Sequence, residues 1–160
     1  MKKFALVLAA FLGAMVLTAG IALADNPHFI QASAAGPDNA GNLAVNFKIA
    51  GLGNTVSTTV TASAQATAVY ACRNHGGNFP ADPKKTEVTG PVSNSAQFTS
   101  GRNGQITGSL ILSPPPSTLT CPPGQDTVFI SVSYTNVQAS EPAAGTESIP
   151  GTFSQTFLNI

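Results

Sequence analysis

The chain has 160 residues, 42% of them hydrophobic and only 9% charged, with seven Lys or Arg balanced by seven Asp or Glu. So small and scattered a supply of charge excludes the basic stripe that would neutralise a run of nucleic-acid phosphates or hold an anionic membrane surface. The 15 Gly and 12 Pro would suit a disordered chain, but the hydrophobic residues fall in alternating runs that can bury enough apolar surface to offset ordering entropy.

The opening MKKFALVLAAFLGAMVLTAGIALA sets Lys2 and Lys3 before an uncharged apolar run that ends in Ala22-Leu23-Ala24, the small-x-small pattern of signal-peptidase cleavage. The run from Phe4 to Ala24 matches the span of about 20 residues that a membrane helix needs. Gly13, Gly20 and the Ala-x-Ala ending favour a removed signal helix over a retained anchor. The expectation is therefore cleavage between Ala24 and Asp25, delivering residues 25–160 to the extracellular or periplasmic space with no membrane attachment afterwards. That length suits one domain, able to bury roughly two-thirds of its unfolded surface.

His28 to Gly36 (HFIQASAAG) reads as a first strand, and Gly36-Pro37-Asp38-Asn39-Ala40-Gly41 supplies the turn that ends it. In LAVNFKIAG, Leu43, Val45, Phe47 and Ile49 alternate with smaller or polar residues, the period-two mark of a half-buried strand. TVSTTVTASAQATAVYAC follows. Val56, Val60, Ala62, Ala64, Ala66, Ala68, Tyr70 and Cys72 share one parity there, and Thr and Ser fill most of the other. β-Branched density and alternation outweigh alanine's helical preference and predict a long strand, bulged or broken near its middle and closed by Cys72.

Lys85 to Thr99 reads as an edge strand interrupted at Gly90-Pro91, because proline cannot donate to a ladder. Arg102-Asn103-Gly104 turns the chain into a strand with Ile106, Leu110 and Leu112 on one face, and Pro114-Pro115-Pro116 begins a stiff loop. Val128, Ile130, Val132 and Tyr134 line one side of the next strand, and Phe153 and Phe157 suit a single last strand entered after Pro150-Gly151. About seven strands divided by Gly/Pro/Asn turns predict an all-β chain: an antiparallel β-sandwich of immunoglobulin-like or similar Greek-key plan, preceded by the signal helix.

Cys72 and Cys121 are the only cysteines, and an oxidising destination joins such a pair. The bond would pin two irregular segments at one end of the fold. In antibody domains the bridge instead crosses the core against a Trp, which this chain lacks. A joined Cys72 makes CRNHGGNFPADPKK a tether, its His75 an exposed loop imidazole and its Gly76-Gly77 a turn.

A metal site built from His28, His75 and Asp82 lacks the Cys-x-x-Cys or His-x-x-x-His spacing that pre-places ligands, so neither metal nor cofactor is expected. Two histidines, seven carboxylates and no nucleophile-elbow motif leave a small hydrolase few candidates. Such an enzyme would have to bring His28, His75, Asp82, Glu87 and Asp126 together in a cleft. A glycan-binding module is the other alternative, opposed by the want of aromatic platforms: Tyr70 and Tyr134 both fall on inward parity.

CRNHGGNFP, NGQITGSLILSPP, CPPGQ, ISVSYTNV and PGTF together resemble a set of small exported bacterial proteins of unknown function. These share an early Cys followed by Gly-Gly-Asn, a later Cys-Pro-x-Gly-Gln and a Pro-Gly-Thr-Phe near the end. The likeness runs from Tyr70 to Phe157; it implies export, a single domain and a cysteine pair, and no chemistry. The sequence thus points to a secreted, non-catalytic binding, surface or structural module whose partner is an extracellular protein or glycan, with no nucleic acid involved.

Overall fold

The computed structural model describes residues 26–160; the expected signal helix and the Ala22, Ala24 and Asp25 of its cleavage site lie outside them. Among the described residues are eight strands: β1 (His28–Ala35), β2 (Leu43–Ala50), β3 (Ser57–Asn74), β4 (Lys85–Thr99), β5 (Ile106–Leu112), β6 (Gln125–Glu141), β7 (Gly145–Ile149) and β8 (Phe153–Thr156). They form two antiparallel sheets. One has the order β1-β2-β5; the other runs β4-β3-β6-β7, with β8 also paired to β6.

The alternation of β2 is realised fully, with Leu43, Val45, Phe47 and Ile49 all buried between polar or small neighbours. From the opposite sheet, Val60, Ala62, Ala64 and Ala66 of β3 and Val132, Tyr134, Val137 and Ala139 of β6 meet the same core. Where the two sheets converge, the Phe47 and Phe98 rings pack edge to face, centroids 5.1 Å apart. Gly108 of β5 leaves them the room: a Cβ there would sit 2.6 Å from the Phe98 ring and 2.8 Å from that of Phe47.

The strand count is eight rather than about seven, because the closing segment divides into β7, on the near side of Pro150-Gly151, and β8 beyond it. Val56, expected on the inward parity, stays in register opposite Ser100 but is exposed just ahead of β3. β4 is an edge strand as expected, but Gly90-Pro91 does not interrupt it. Cys72 N donates to Lys84 O, and Ser100 N to Val56 O, both at 2.9 Å, and each pair extends the unshifted β3–β4 register. Even-numbered residues therefore bond across the pair, and odd-numbered ones in β4, Pro91 among them, turn their backbone to the free edge. Pro91 forfeits no ladder bond.

The sheets are also joined by a hydrogen bond. Tyr134, fully buried, donates from its hydroxyl to Gly41 O at 2.7 Å, with Leu112 O 3.3 Å away, linking β6 to the β1–β2 turn and the end of β5. Burial, with Asp38 and Tyr70 adding, pushes the Tyr134 phenol well above its ordinary pKa, so it stays a neutral donor. In that turn Asp38 Oδ1 accepts from Ala40 N at 2.8 Å and Asn42 N at 2.9 Å.

Gly108→Ala should cost about 1–3 kcal/mol, since overpacking forces the two rings apart, whereas Gly90→Ala, whose Cβ meets nothing within 4 Å, should change stability by no more than about 0.5 kcal/mol; denaturant unfolding of the two variants separates these outcomes. The Asn42 amide foremost, helped by Ala40, holds the Asp38 carboxyl below its ordinary pKa. Because folding lowers that pKa, the contribution is complete above the unfolded value and lost as pH falls through the folded one. Thermal melts taken across the acid range should accordingly fall less steeply for Asp38→Asn than for the unaltered chain.

Candidate functional site

The titratable residues that a cleft would need are spread over the surface. His28 opens β1 and holds only Asn26 O through Nδ1 at 2.8 Å; Asp82 lies in the β3–β4 loop; Glu87 is exposed on β4. His75 and Asp126 alone approach each other, Nε2 to Oδ1 at 3.5 Å, with both side chains largely in solvent. Among the described residues no group of three or more His, Cys, Asp or Glu is placed to hold a metal ion.

Cys72 and Cys121 are joined, their Cα atoms 5.5 Å apart across 49 positions of sequence. Cys72 does not close its strand, since β3 continues through Arg73 and Asn74 opposite Asp126 and Gln125 of β6. The bond therefore anchors a fully buried strand residue to the loop over residues 113–124, in place of two irregular segments. The same loop is held by Tyr70, whose hydroxyl donates to Pro115 O at 2.7 Å, and by Lys84 Nζ on Thr120 O at 2.9 Å. Beneath it the rings of Tyr70, Phe129 and Phe157 stack in series, at 5.1 and 4.9 Å. Both tyrosines thus face inward, as their parity implied, and their hydroxyls serve the fold.

The outer face of the five-stranded sheet has a different character. Strand register places Ser95, Thr61, Ser140 and Thr146 in one row across β4, β3, β6 and β7, and Ser93, Ser63, Gln138 and Ser148 in the next. A further row, Thr89, Thr67, Ser133 and Ser154, ends on β8. Several of these hydroxyls bond sideways, as Thr61 does with Ser95 at 2.7 Å and Thr67 with Thr89 at 3.0 Å.

A trough crosses this grid at the level where β6 is bulged and β7 gives way to β8. Ser63 pairs with Gln138 and Gln65 with Thr135, so Ala64 alone faces Asn136 and Val137, and Asn136 takes up the extra residue with φ 51°. Pro91 stands opposite Gln65 on one side, while Pro150 and Gly151 fill the gap between β7 and β8 on the other. Two hollows result, of about 220 and 380 Å³, meeting at Asn136 and Gln138. The first is lined further by Ser63, Gln65, Pro91 and Ser93 with Ala64 and Val92, the second by Ser148, Pro150 and Gly151 with Val137 and Ile149. None of their lining side chains is charged.

A third hollow, of about 360 Å³, adjoins Thr59, Thr61, Ser140 and Thr146 and reaches Glu141. Glu141 is 3% exposed and consumed by the fold: Oε1 accepts from Thr58 Oγ1, and Oε2 from Ala143 N at 2.8 Å and Ala144 N at 2.6 Å. It caps the β6–β7 hairpin. The trough and this carboxyl went unread in the sequence; a run of Ser, Thr and Gln on one parity of three strands was the available sign.

No protein-family model matches the chain, and no curated protein matches it either. Among solved structures, "X-ray structure of Northeast Structural Genomics Consortium target SoR45" is 14% identical over 87% of this chain and 95% of that one, with a TM-score of 0.19. A likeness at that level carries no argument here.

Opening the disulfide should cost about 4 kcal/mol, the chain-entropy value for its loop. Denaturant unfolding with and without a thiol reductant measures the difference, and identical midpoints would refute it.

Proposed function

We propose that the chain is an exported, non-catalytic binding module, braced by Cys72–Cys121, that presents the outer face of its five-stranded sheet to an extracellular protein or glycan. The observation carrying this reading is the trough on the outer sheet face, where the amides of Gln65, Asn136 and Gln138 and the hydroxyls of Ser63, Ser93 and Ser148 stand among apolar residues, with no titratable side chain in the lining. Such a surface offers donors and acceptors to a partner but no general acid, base or nucleophile pair. The two sheets are read as an immunoglobulin-like or similar Greek-key sandwich, in keeping with the small exported bacterial proteins that the sequence resembles. Export follows from the leader pattern that ends at Ala24.

Expressed with its own leader in a bacterium, the protein should be recovered from the periplasm or medium with Asp25 at its N-terminus and no free thiol. The purified protein should then sediment with envelope material of the producing organism, less so once Gln65 and Gln138 are replaced by Ala. Retention of the full-length chain in the cytoplasm would overturn export; failure to sediment would overturn the binding role.

A further inference from the structure

We infer that the trough takes an uncharged polysaccharide chain, laid across the strands between Pro91 and Pro150; this rests on the binding-module reading above. Three features of the site select that ligand class. First, the trough runs across the strands, and its floor lies inside the sheet, where the β3–β6 ladder lapses only at the bulge that sets Ala64 against Asn136 and Val137. An extended peptide brings one N–H and one C=O per residue and is best met by a free strand edge, which this floor does not offer. Side chains are the main groups offered to a ligand here. Gln65, Gln138 and Asn136 each carry both donor and acceptor, and the neighbouring serine hydroxyls do likewise, which matches a ligand whose own hydroxyls act in both senses.

Second, the charge balance selects against ionic ligands. Neither hollow has a charged side chain in its lining, so a carboxylated, sulfated or cationic chain would lose hydration there with no opposite charge to replace it. Third, length selects a polymer. Four strands at about 4.8 Å spacing set the outer strand axes about 14 Å apart, longer than a single sugar ring. The exposed rings of Pro91 and Pro150 give apolar ground at the two ends for the C–H faces of sugars. With no aromatic platform between them, affinity comes from several weak contacts along a chain and is absent for a monosaccharide.

Native electrophoresis through gels containing a soluble glucan, mannan or galactan tests this, with polygalacturonate as the charged counterpart and the free monosaccharides as competitors. At least one neutral polymer should retard the protein, its monosaccharide should not compete, and Gln65→Ala/Gln138→Ala should raise the apparent Kd about tenfold. Ser148→Leu, which obstructs the trough from β7 with no aromatic ring for a sugar to stack on and leaves the amides in place, should abolish retardation, while Thr89→Ala, outside the trough, should not alter it. Retardation by polygalacturonate alone, by no polymer, or equally for the double variant would overturn the assignment. Envelope sedimentation separates this failure from that of the module reading. Binding that survives glycosidase digestion of the envelope but not protease digestion leaves a binding module with a protein partner; no binding to any envelope preparation removes both.

Discussion

The pairing of β3 with β6 is the constraint on which the remainder of the structure depends. These are the longest strands that pair directly, 18 and 17 residues, and a ladder of that length between twisted strands must keep an apolar inner face throughout. It does so by slipping. The extra residue at Asn136 moves the inward parity of β6 from Ile130, Val132 and Tyr134 to Val137, Ala139 and Glu141, so that core burial continues past a point where a regular strand would have turned its apolar residues to solvent. The trough on the outer face is the other side of that adjustment. One backbone feature thus serves the packing of the core and shapes the recognition surface.

How far the sequence could be read follows from this. β2 and the stretch of β6 from Ile130 to Tyr134 were legible because strict alternation needs no knowledge of neighbours; before Ile130 a second register shift sets Phe129 opposite Tyr70 and takes Val128 off the inward parity read for it. The parity of β3 was legible through Val60 to Ala68 for the same reason, and the joining of Cys72 to Cys121 followed from their being the only pair. The second half of β6 was not legible: beyond Asn136 the apolar residues fall on the other parity, and nothing local announces that one residue has stepped out of the ladder. β7 was hidden likewise, since GTESI has one buried residue, Ile149, and owes its strand state to Val137–Glu141 beside it rather than to its own pattern. Pro91 was overread, because whether a proline breaks a strand depends on which side its nitrogen faces, and only the register with β3 fixes that.

The polar residues divide into two kinds that composition cannot separate. Ser100 and Glu141 are buried and fully engaged; Ser100 Oγ donates to Gly53 O at 2.6 Å and accepts from Val56 N at 2.9 Å, closing the link between β2 and β3. The serines and threonines of the outer sheet face are chemically alike but half-exposed, and they bond to one another or to water. A chain with so few charges keeps its surface hydrated through hydroxyls and amides, and the same groups give that surface its capacity for neutral ligands.

The proline at the middle of β4 has a bearing on crowding. A fifteen-residue strand bare along one edge is a template on which a second molecule can anneal, and copies held close together would grow into fibres by that route. Pro91 presents no hydrogen to such a newcomer and cuts the bare margin into two short halves. At that margin the sheet is kept finite by a missing proton, so a crowded neighbour meets only an interrupted template.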